Sequence, residues 1–525
     1  MHYVYGLLCL SFALSASGQS PAQSQQRTYQ PPVFADADRL ARVQPLFGAI
    51  DQYYHQYAAQ KHIPGLSYGI VLDGKLVHSG ALGYTDVAKK TPATPQSVFR
   101  IASMTKSITA LAVLTLRDGG KLNLDDPVAR YVPELKTVTY LTTDAPALTI
   151  RHLLSHAGGL PEDNPWGDRQ LADSEADLSA LWRGGVSFAN VPGVAFEYSN
   201  LGFATLGRII TVVSGKPYQQ YITETILRPL GLTHTEWEYS RVPAGQLAHG
   251  YRWQDEQWIE EPLLHDGSHG AMGGLLTSID DFGRYMAFQL SAWPPRNEPE
   301  TGPGWPVAIR RASVREMQLP KMFSGMSPNF RFPGGRATPL VGFYAYGLGW
   351  SRDGDGRTYV GHGGGLPGFG SYWRMMPDYG LAVVAFSNLT YANLSTPAWA
   401  VLDTLLTNAK LTPRRLPVSP VLAERKTQLV NLLPDWTDAE ATKMFAENFF
   451  PDQSLANRRK QTQALFAKIG RITSVGELEP ENQLRGRFRL TGERGTADVF
   501  LTLTPEIPAL IQQLDVTEVT NLPKP

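Results

Sequence analysis

The feature that most constrains the fold is a pair of strand-rich regions on either side of a long helix-rich middle. Residues 66–72 are apolar, reach the turn residues Asp73 and Gly74, and continue as residues 75–78, which predicts a β-hairpin. Strand-like segments return only late in the chain, at residues 345–350, 357–361, 372–376 and 381–388. Strands at both ends of a helical middle indicate one antiparallel sheet assembled from distant parts. We therefore expect an α+β fold in which this sheet is flanked by helices and accompanied by an all-helical subdomain.

The helices of this fold are predicted from their periodicity and their stop signals. Residues 36–60 and 101–117 are expected to be helical, and Gly119 and Gly120 end the second of these segments. From there to about residue 288, helix-like segments alternate with long connections that contain Gly and Pro.

Length and proline content divide the chain into parts. Its 525 residues exceed one typical domain. Three prolines lie within residues 411–421, which we interpret as a linker between a large domain at 35–410 and a small one at 422–525. The small domain is predicted to be α+β. Its helices are expected at residues 424–433, 437–450 and 455–469, and its strands follow at residues 472–478, 483–490, 497–504 and 511–519.

The amino terminus resembles a secretory signal. Residues 1–18 contain an apolar core at 7–14 that is followed by small residues, and this core is shorter than the about 20 residues that a membrane span needs. Cleavage after it would remove Cys9, the single cysteine, and a chain without cysteine suits an oxidising compartment. We expect export to the periplasm or the medium, with residues 19–34 as a disordered lead-in because they are rich in Gln, Ser and Pro.

The composition narrows the range of partners. Lys plus Arg and Asp plus Glu both total 48, so the formal charge is zero and nothing favours nucleic acid or an anionic membrane. No later apolar run is long enough to span a bilayer. We expect a small-molecule or peptide substrate, cell-wall peptide included, whereas the sequence leaves the oligomeric state open.

One segment offers the elements of acyl transfer, which needs an activated oxygen nucleophile, a proton shuttle and donors for an oxyanion. Ser103 and Lys106 are three residues apart, so on a helix that begins near Ser103 they share one face. Burial and the helix N-terminus both favour a neutral lysine. Ser-x-x-Lys is a short pattern, and on its own it favours a helix-capping serine with a solvated lysine over a catalytic pair.

Two further motifs accompany this one. Residues 196–200 contain Tyr-x-Asn at Tyr198 and Asn200, and residues 360–365 contain His-x-Gly at His362 and Gly364. With three motifs in this order, the chain resembles the family of class C β-lactamases, penicillin-binding DD-peptidases, D-amino-acid peptidases and related esterases. The resemblance covers roughly residues 35–405 and includes the stretches 97–100, 120–128, 151–160 and 273–278.

The resemblance implies a β-lactamase/transpeptidase-like fold and a serine hydrolase that works through an acyl-enzyme. It implies that Ser103 forms the acyl-enzyme and that Lys106 holds the proton of the Ser103 hydroxyl. Tyr198 is implied to act first as a base and then as an acid, which requires a phenol pKa well below about 10. Asn200 is implied to orient Lys106 and the substrate amide.

The third motif is implied to bind the substrate. The backbone N–H groups of Ser103 and Gly365 would form the oxyanion hole, and glycines at 363–365, Gly364 among them, would let a substrate carbonyl approach the strand. In efficient β-lactamases a lysine opens this motif and helps to bind a carboxylate, whereas His362 is a weaker anion binder. This difference favours a peptidase or an esterase. His362 also fits a strand histidine that is bound to a backbone carbonyl.

Other patterns are set aside. Residues 65–69 match the Gly-x-Ser-x-Gly elbow of α/β-hydrolases, but a strand follows Ser67 where that fold needs a helix. Two histidine pairs at i, i+4 spacing lack a zincin pattern, so we expect no metal and no cofactor; these pairs are His152/His156 and His265/His269.

Two functions remain in contention. The first is a serine hydrolase that acts on D-amino-acid peptides, β-lactams or small esters. The alternative is a penicillin-binding or sensing protein that is acylated at Ser103 with little turnover. The role of the domain after residue 421 stays open.

Overall fold

The structure, a computed structural model, describes residues 29–298 and 308–519. The predicted signal peptide and most of the predicted lead-in lie outside these residues. The chain divides into two compact units, one at Val33–Arg415 and one that begins at Leu416. Among the described helices, none is both long enough and apolar enough to cross a membrane.

The larger unit contains most of the secondary structure. Its α-helices are α1 (Arg39–Val43), α2 (Phe47–Gln60), α3 (Thr105–Asp118), α4 (Ile150–Leu154), α5 (Asn164–Gly167), α6 (Glu175–Gly184), α7 (Asn200–Ser214), α8 (Tyr218–Ile222), α9 (Gly270–Gly273), α10 (Ile279–Ser291), α11 (Arg311–Glu316) and α12 (Ser395–Asn408). Its strands are β1 (Gly65–Leu72), β2 (Lys75–Asp86), β3 (Thr91–Pro92), β4 (Phe99–Arg100), β5 (Tyr251–Gln254), β6 (Gln257–Glu260), β7 (Leu276–Thr277), β8 (Met322–Arg331), β9 (Ala337–Tyr344), β10 (Gly349–Asp353), β11 (Thr358–Leu366), β12 (Phe369–Met376) and β13 (Leu381–Ser387). A π-helical turn follows α8 at Thr223–Leu227, and short 3₁₀ turns lie at Gln44–Leu46, Ala102–Met104, Val128–Arg130, Pro133–Thr137, Tyr239–Arg241 and Pro377–Tyr379.

Nine of the described strands form one antiparallel sheet in the order β3-β2-β1-β13-β12-β11-β10-β9-β8. The predicted N-terminal hairpin, β1 and β2, is confirmed. Strand β1 pairs directly with β13, from Leu66 opposite Ser387 to Leu72 opposite Leu381. The expectation that distant parts of the chain share one sheet is therefore confirmed.

The centre of this sheet is covered on both faces. Along β13, Ala382, Val384 and Phe386 point into a core shared with α3, α7 and α10, whereas Leu381, Val383 and Ala385 point into a second core shared with α2 and α12. All seven residues of β13 are buried, as expected of a strand that has two covered faces. Helix α3, which follows Ser103, is packed within the first core.

The predicted fold class is confirmed: a large antiparallel sheet with helices and a separate small sheet unit. One detail is corrected. The helix-rich region between β4 and β7 is not all-helical, because β5 and β6 form a two-stranded hairpin within it.

The smaller unit has helices α13 (Pro420–Leu432), α14 (Phe449–Asp452) and α15 (Leu455–Ile469), a 3₁₀ turn at Ala439–Thr442, and strands β14 (Ile472–Val475), β15 (Glu479–Asn482), β16 (Arg485–Gly492), β17 (Thr496–Leu503) and β18 (Ile511–Glu518). These strands form one sheet in the order β14-β16-β17-β18, with β15 also pairing with β16. The predicted helix at 437–450 is wrong. Asp438 and Lys443 there have φ angles of 54° and 51°, a left-handed backbone that no helix continues through.

Three other expectations are corrected. Strands β8 and β9 were not predicted. Strand β8 is the edge of the sheet, both strands are mostly exposed or half-buried, and their register shifts twice, near Gly325 and Phe330. Residues 345–348 form a turn rather than the start of a strand, with the Ala345 N–H donating to the Leu348 carbonyl at 2.7 Å. The end of the lead-in is ordered, because Val33 pairs with Arg415 through two backbone hydrogen bonds of 3.0 and 2.7 Å.

Candidate active site

The first element of the site is the tight turn that presents Ser103. Ala102 has a φ of 49°, a left-handed conformation that costs a non-glycine residue about 1–2 kcal/mol. The Ile101 carbonyl accepts a hydrogen bond of 2.7 Å from the Ser371 hydroxyl on β12, which ties the turn to the sheet. Ser103 is the second residue of the helical run, so its N–H has no acceptor within that run.

Lys106 lies one turn further along, where the first twelve residues of α3 are all buried. Its amine is fully buried and contacts three oxygens: Ser103 Oγ at 2.9 Å, Asn200 Oδ1 at 2.7 Å and the Met272 carbonyl at 2.8 Å. Burial lowers the pKa of Lys106 from 10.5 to about 7, against the opposing effect of the nearby Asp168 and Asp163 carboxylates.

This geometry decides where the lone pair of a neutral Lys106 amine points. A neutral amine has two N–H bonds, and the two pure acceptors around it, Asn200 Oδ1 and the Met272 carbonyl, take both. The lone pair is then left for the third neighbour, the Ser103 hydroxyl. The arrangement can therefore accept the serine proton.

Tyr198 is held beside the amine by the start of α7. The Lys106 Nζ lies 5.0 Å from the centroid of the Tyr198 ring. Ser199 is the N-cap of α7, and the buried Asp163 carboxylate accepts the N–H groups of Asn200 and Leu201 at 2.6 and 2.9 Å. These bonds satisfy the first donors of the helix and fix the residue that precedes it.

The expected pKa of Tyr198 is wrong in direction. Burial raises the pKa of the Tyr198 phenol above its ordinary value of 10, and the Asp168 and Asp163 carboxylates raise it further, whereas a hydrogen bond with Ser103 lowers it. The phenol is therefore neutral near pH 7. Lys106, not Tyr198, is the group whose pKa lies near neutrality.

Asn200 connects both sides of this cluster. Its Oδ1 accepts from Lys106, and its Nδ2 donates to Asn164 Oδ1 at 3.0 Å. The Nδ2 amide has two N–H donors, and the bond to Asn164 uses one of them. The side chain orients Lys106 as the resemblance implied.

His362 lies in β11 and is neutral. Its Nε2 is 2.8 Å from the Tyr344 hydroxyl, and its Nδ1 contacts the Gly363 carbonyl. Burial and the nearby Lys106 lower the pKa of His362 to about 3. The alternative of a strand histidine bound to a backbone carbonyl therefore describes this residue, and it supplies no positive charge.

Strand β11 has one open edge beside the site. It pairs with β12 as far as Leu366, but its pairing with β10 ends at Gly361. Beyond Gly361 the edge that faces β10 has no strand partner among the described residues. An extended substrate can lie along such an edge.

The structural reason why glycine is needed at these positions of β11 differs from the one expected. A Cβ at Gly364 would lie 2.3 Å from both the Ile101 carbonyl and the Ser371 Oγ, so its absence lets the strand contact the turn before Ser103. A Cβ at Gly365 would lie 2.8 Å from the Tyr391 ring. Neighbouring protein groups, rather than a substrate carbonyl, occupy the space that these two glycines leave.

Sequence reasoning missed three residues of this site. His156 packs its ring 4.2 Å from that of Tyr198, and it lies in the stretch 151–160 that carries part of the resemblance. Asp163 and Asp168 act on Lys106 and Tyr198, yet they follow that stretch in a loop with no periodic pattern. The only sequence signal for these two aspartates is that they lie between the stretch 151–160 and the motif at Tyr198.

The patterns that were set aside have structural roles. Ser67 lies in β1 and donates to the Thr94 carbonyl at 3.0 Å. His152 forms a capping box with Thr149 at the start of α4. Within the described residues, no group of three or more His, Cys, Asp or Glu side chains is arranged to hold a metal ion.

The sequence profile of the family described as Beta-lactamase matches residues 50–407, and the chain belongs to this family. "Protein flp" of Staphylococcus aureus (strain COL) is 30% identical over 346 residues, which cover 65% of this chain and 63% of that protein. "Beta-lactamase-like protein 2" of Dictyostelium discoideum is 31% identical over 260 residues, which cover 48% of this chain and 47% of that protein. The match thus spans less than two thirds of the length of these relatives.

Two solved structures share the fold. An octameric penicillin-binding protein homologue from Pyrococcus abyssi has a TM-score of 0.57 and 21% identity, and the match covers 90% of this chain and 94% of that one. A penicillin binding protein from Bacillus halodurans has a TM-score of 0.53 and 20% identity, with 67% and 98% covered. The chain is thus a member of the serine β-lactamase-like superfamily.

Proposed function

We propose that this protein is a serine hydrolase that forms an acyl-enzyme at Ser103 with amide or ester substrates. The observation that supports this most directly is the Lys106 amine, which lies 2.9 Å from Ser103 Oγ and has acceptors for both N–H bonds of its neutral form. Its lone pair can take the serine proton as Oγ bonds to the substrate carbonyl carbon.

In this proposal the carbonyl electron pair moves to oxygen, where the N–H groups of Ser103 and Gly365 stabilise it; each such donor is worth about 3 kcal/mol. Collapse of the intermediate breaks the bond to the leaving group. The neutral Tyr198 phenol gives that group its proton and regains one from Lys106. Water then attacks the carbonyl carbon of the acyl-enzyme and loses a proton to Lys106. The bond between that carbon and Ser103 Oγ breaks as Lys106 returns the proton to Oγ, which releases the acid and restores the Ser103 hydroxyl and the neutral amine. Tyr198 acts as an acid and relay here, in accord with its raised pKa.

We propose esters and D-amino-acid amides or peptides as better substrates than β-lactams. Both nitrogens of His362 are engaged within the protein and the ring is neutral, so this position offers no cation to a substrate carboxylate. Asn200 is fully buried, so its role in this proposal is to orient Lys106 rather than to contact the substrate. Class C β-lactamase activity is therefore the weaker expectation within the family.

We further propose that the chain is exported to the periplasm or the medium, because residues 1–18 resemble a signal peptide. N-terminal sequencing of the protein from culture fractions tests this. A start near residue 19 in the exported fraction supports it, and an intact Met1 contradicts it.

The second candidate is a protein that is acylated with little turnover. It is favoured by the solved relatives that are described as penicillin-binding proteins. The two candidates share Ser103 and differ only in deacylation.

One experiment separates these possibilities. Intact mass spectrometry after treatment with a fluorophosphonate should show one adduct on the wild type and none on Ser103→Ala. Release of p-nitrophenol from p-nitrophenyl acetate should continue over many turnovers, and nitrocefin, a D-Ala-D-Ala peptide and a D-amino-acid amide should be compared with it. A single stoichiometric burst on every substrate would favour the second candidate, and labelling of Ser103→Ala would reject both.

A further inference from the structure

A tyrosine from the sheet side of the site reaches an aspartate on the helix-rich side. Tyr391 lies in the connection between β13 and α12, where its φ of 51° is left-handed and its N–H donates to the Phe369 carbonyl at 3.1 Å. Its hydroxyl donates to Asp168 Oδ2 at 2.9 Å. The two residues are far apart in sequence, and this bond joins the two sides of the site.

Asp168 belongs to the site itself. It directly follows α5 and is only 2% exposed. Its charge acts on both Lys106 and Tyr198. The Tyr391 hydroxyl is therefore held at a carboxylate that lies close to the reacting groups.

The ring of Tyr391 covers the strand that the proposed substrate would follow. It packs against Gly365 so closely that a Cβ there would be 2.8 Å from its Cδ1. At the same time 48% of the residue is exposed, so the ring lies at the surface beside the site rather than in the core.

The part of the substrate that meets this ring follows from the order of groups along β11. The Tyr198 ring, which serves the leaving group, lies near His362, with 6.1 Å between the ring centroids. Gly365, which faces the carbonyl oxygen in the proposed function, is three residues further along the strand. The acyl group then continues away from His362, toward Tyr391.

We propose that Tyr391, tied to Asp168, limits the length of the acyl group that the site accepts and so makes the enzyme selective for short acyl chains. This inference rests on the proposed function. An acyl chain longer than a few carbons has to displace the ring and break the bond to Asp168. A short chain ends before it.

The test uses p-nitrophenyl acetate, butyrate and octanoate, which share one leaving group and differ only in the acyl chain. For the full-length wild type we expect kcat/KM to fall with chain length. Tyr391→Ala should raise the octanoate-to-acetate ratio of kcat/KM about tenfold or more, a change of about 1.4 kcal/mol. Tyr391→Phe keeps the ring and loses the tie, and should raise the ratio about threefold. Tyr84→Ala removes another partly exposed tyrosine, on β2, and should leave the ratio unchanged.

An equal change of kcat/KM for all three esters in Tyr391→Ala, or an unchanged or lower ratio, would overturn the inference, since a purely structural residue does not discriminate chain length. If circular dichroism shows that Tyr391→Ala does not fold, the ratio in Tyr391→Phe decides in the same way. Hydrolysis that persists in Ser103→Ala would instead contradict the proposed function, and the rate of that variant is measured separately from the chain-length ratios.

Discussion

The backbone N–H of Ser199 donates a hydrogen bond of 3.1 Å to Nδ1 of His156. The carbonyl of His156 in turn accepts the N–H of Glu197 at 2.8 Å, so one buried residue holds the backbone on both sides of Tyr198. Because Nδ1 accepts, the ring carries its proton on Nε2. Burial, with Lys106 and His362 nearby, keeps the pKa of His156 well below its ordinary value, so the ring stays neutral.

His156→Asn should retain most of the activity, because the amide Oδ1 of asparagine can replace Nδ1 as the acceptor for Ser199. His156→Phe keeps the ring volume and loses the acceptor, and should lower kcat about 10–100-fold with little change in KM. Steady-state kinetics on p-nitrophenyl acetate, with circular dichroism as the folding control, measure this. Equal losses in the two variants would contradict the positioning role.

The pH dependence follows from Lys106. The proposed reaction needs the neutral amine, and burial brings the pKa of Lys106 down to about 7. Below that pH the amine is protonated, so kcat/KM should fall about tenfold per pH unit, and above it a plateau should be reached. A pH profile of ester hydrolysis checks this. An inflection near the ordinary lysine value of 10.5 would show that the pKa of the amine is not lowered, and a profile without any acid limb would show that the amine is not the base.

Asp168→Asn should move the acid limb of this profile to lower pH. The charges that act on Lys106 are the Asp168 and Asp163 carboxylates, which raise the pKa of its amine, while burial lowers it. Loss of the first charge leaves burial less opposed, so the pKa of Lys106 falls further. Asp144→Asn is the control, because the exposed Asp144 is not among the charges that act on Lys106, Tyr198 or Asp168, and its profile should coincide with that of the wild type. A limb that stays in place or rises in Asp168→Asn would refute the assignment.

Gly364→Ala should abolish most labelling by a fluorophosphonate. Its Cβ would lie 2.3 Å from the Ile101 carbonyl and the Ser371 Oγ, which hold the turn before Ser103. We expect the labelling rate to fall about 100-fold or more, the scale on which misplaced reacting groups lose rate. Gly363→Ala is the control, since its Cβ would be 3.2 Å from the edge of the Tyr372 ring, which can shift. Similar rates for both alanine variants would contradict this account.

The parts of the site that could be predicted are those set by local spacing. The three-residue separation of Ser103 and Lys106 on a helix places amine and hydroxyl together, and Asn200 meets Lys106 as the motif order implied. The environment of Tyr198 could not be predicted. Its pKa depends on Asp163 and Asp168, which a non-periodic loop brings to the site through tertiary packing.

The same division holds for the fold. Strands β1 and β13 are buried along their whole length and were predicted, because burial on two faces leaves a strong apolar signal in the sequence. Strand β8 is an edge strand with mixed exposure and an internal Pro328, so its sequence lacks that signal. In the smaller unit, residues 437–450 have a helical composition, but the backbone is left-handed at Asp438 and Lys443, so a continuous helix does not form there.

The direct pairing of β1 with β13 also governs how the chain is made. A ribosome that has just finished the hairpin has produced a strand whose neighbour, from Leu381 to Ser387, does not yet exist. Until nearly the whole larger unit has been synthesised, that strand has an unpaired edge and uncovered apolar side chains, a state that is prone to aggregate. Nascent chains that stop short of residue 381 should therefore depend on a chaperone, whereas chains that extend past the end of α12 can close the sheet by themselves.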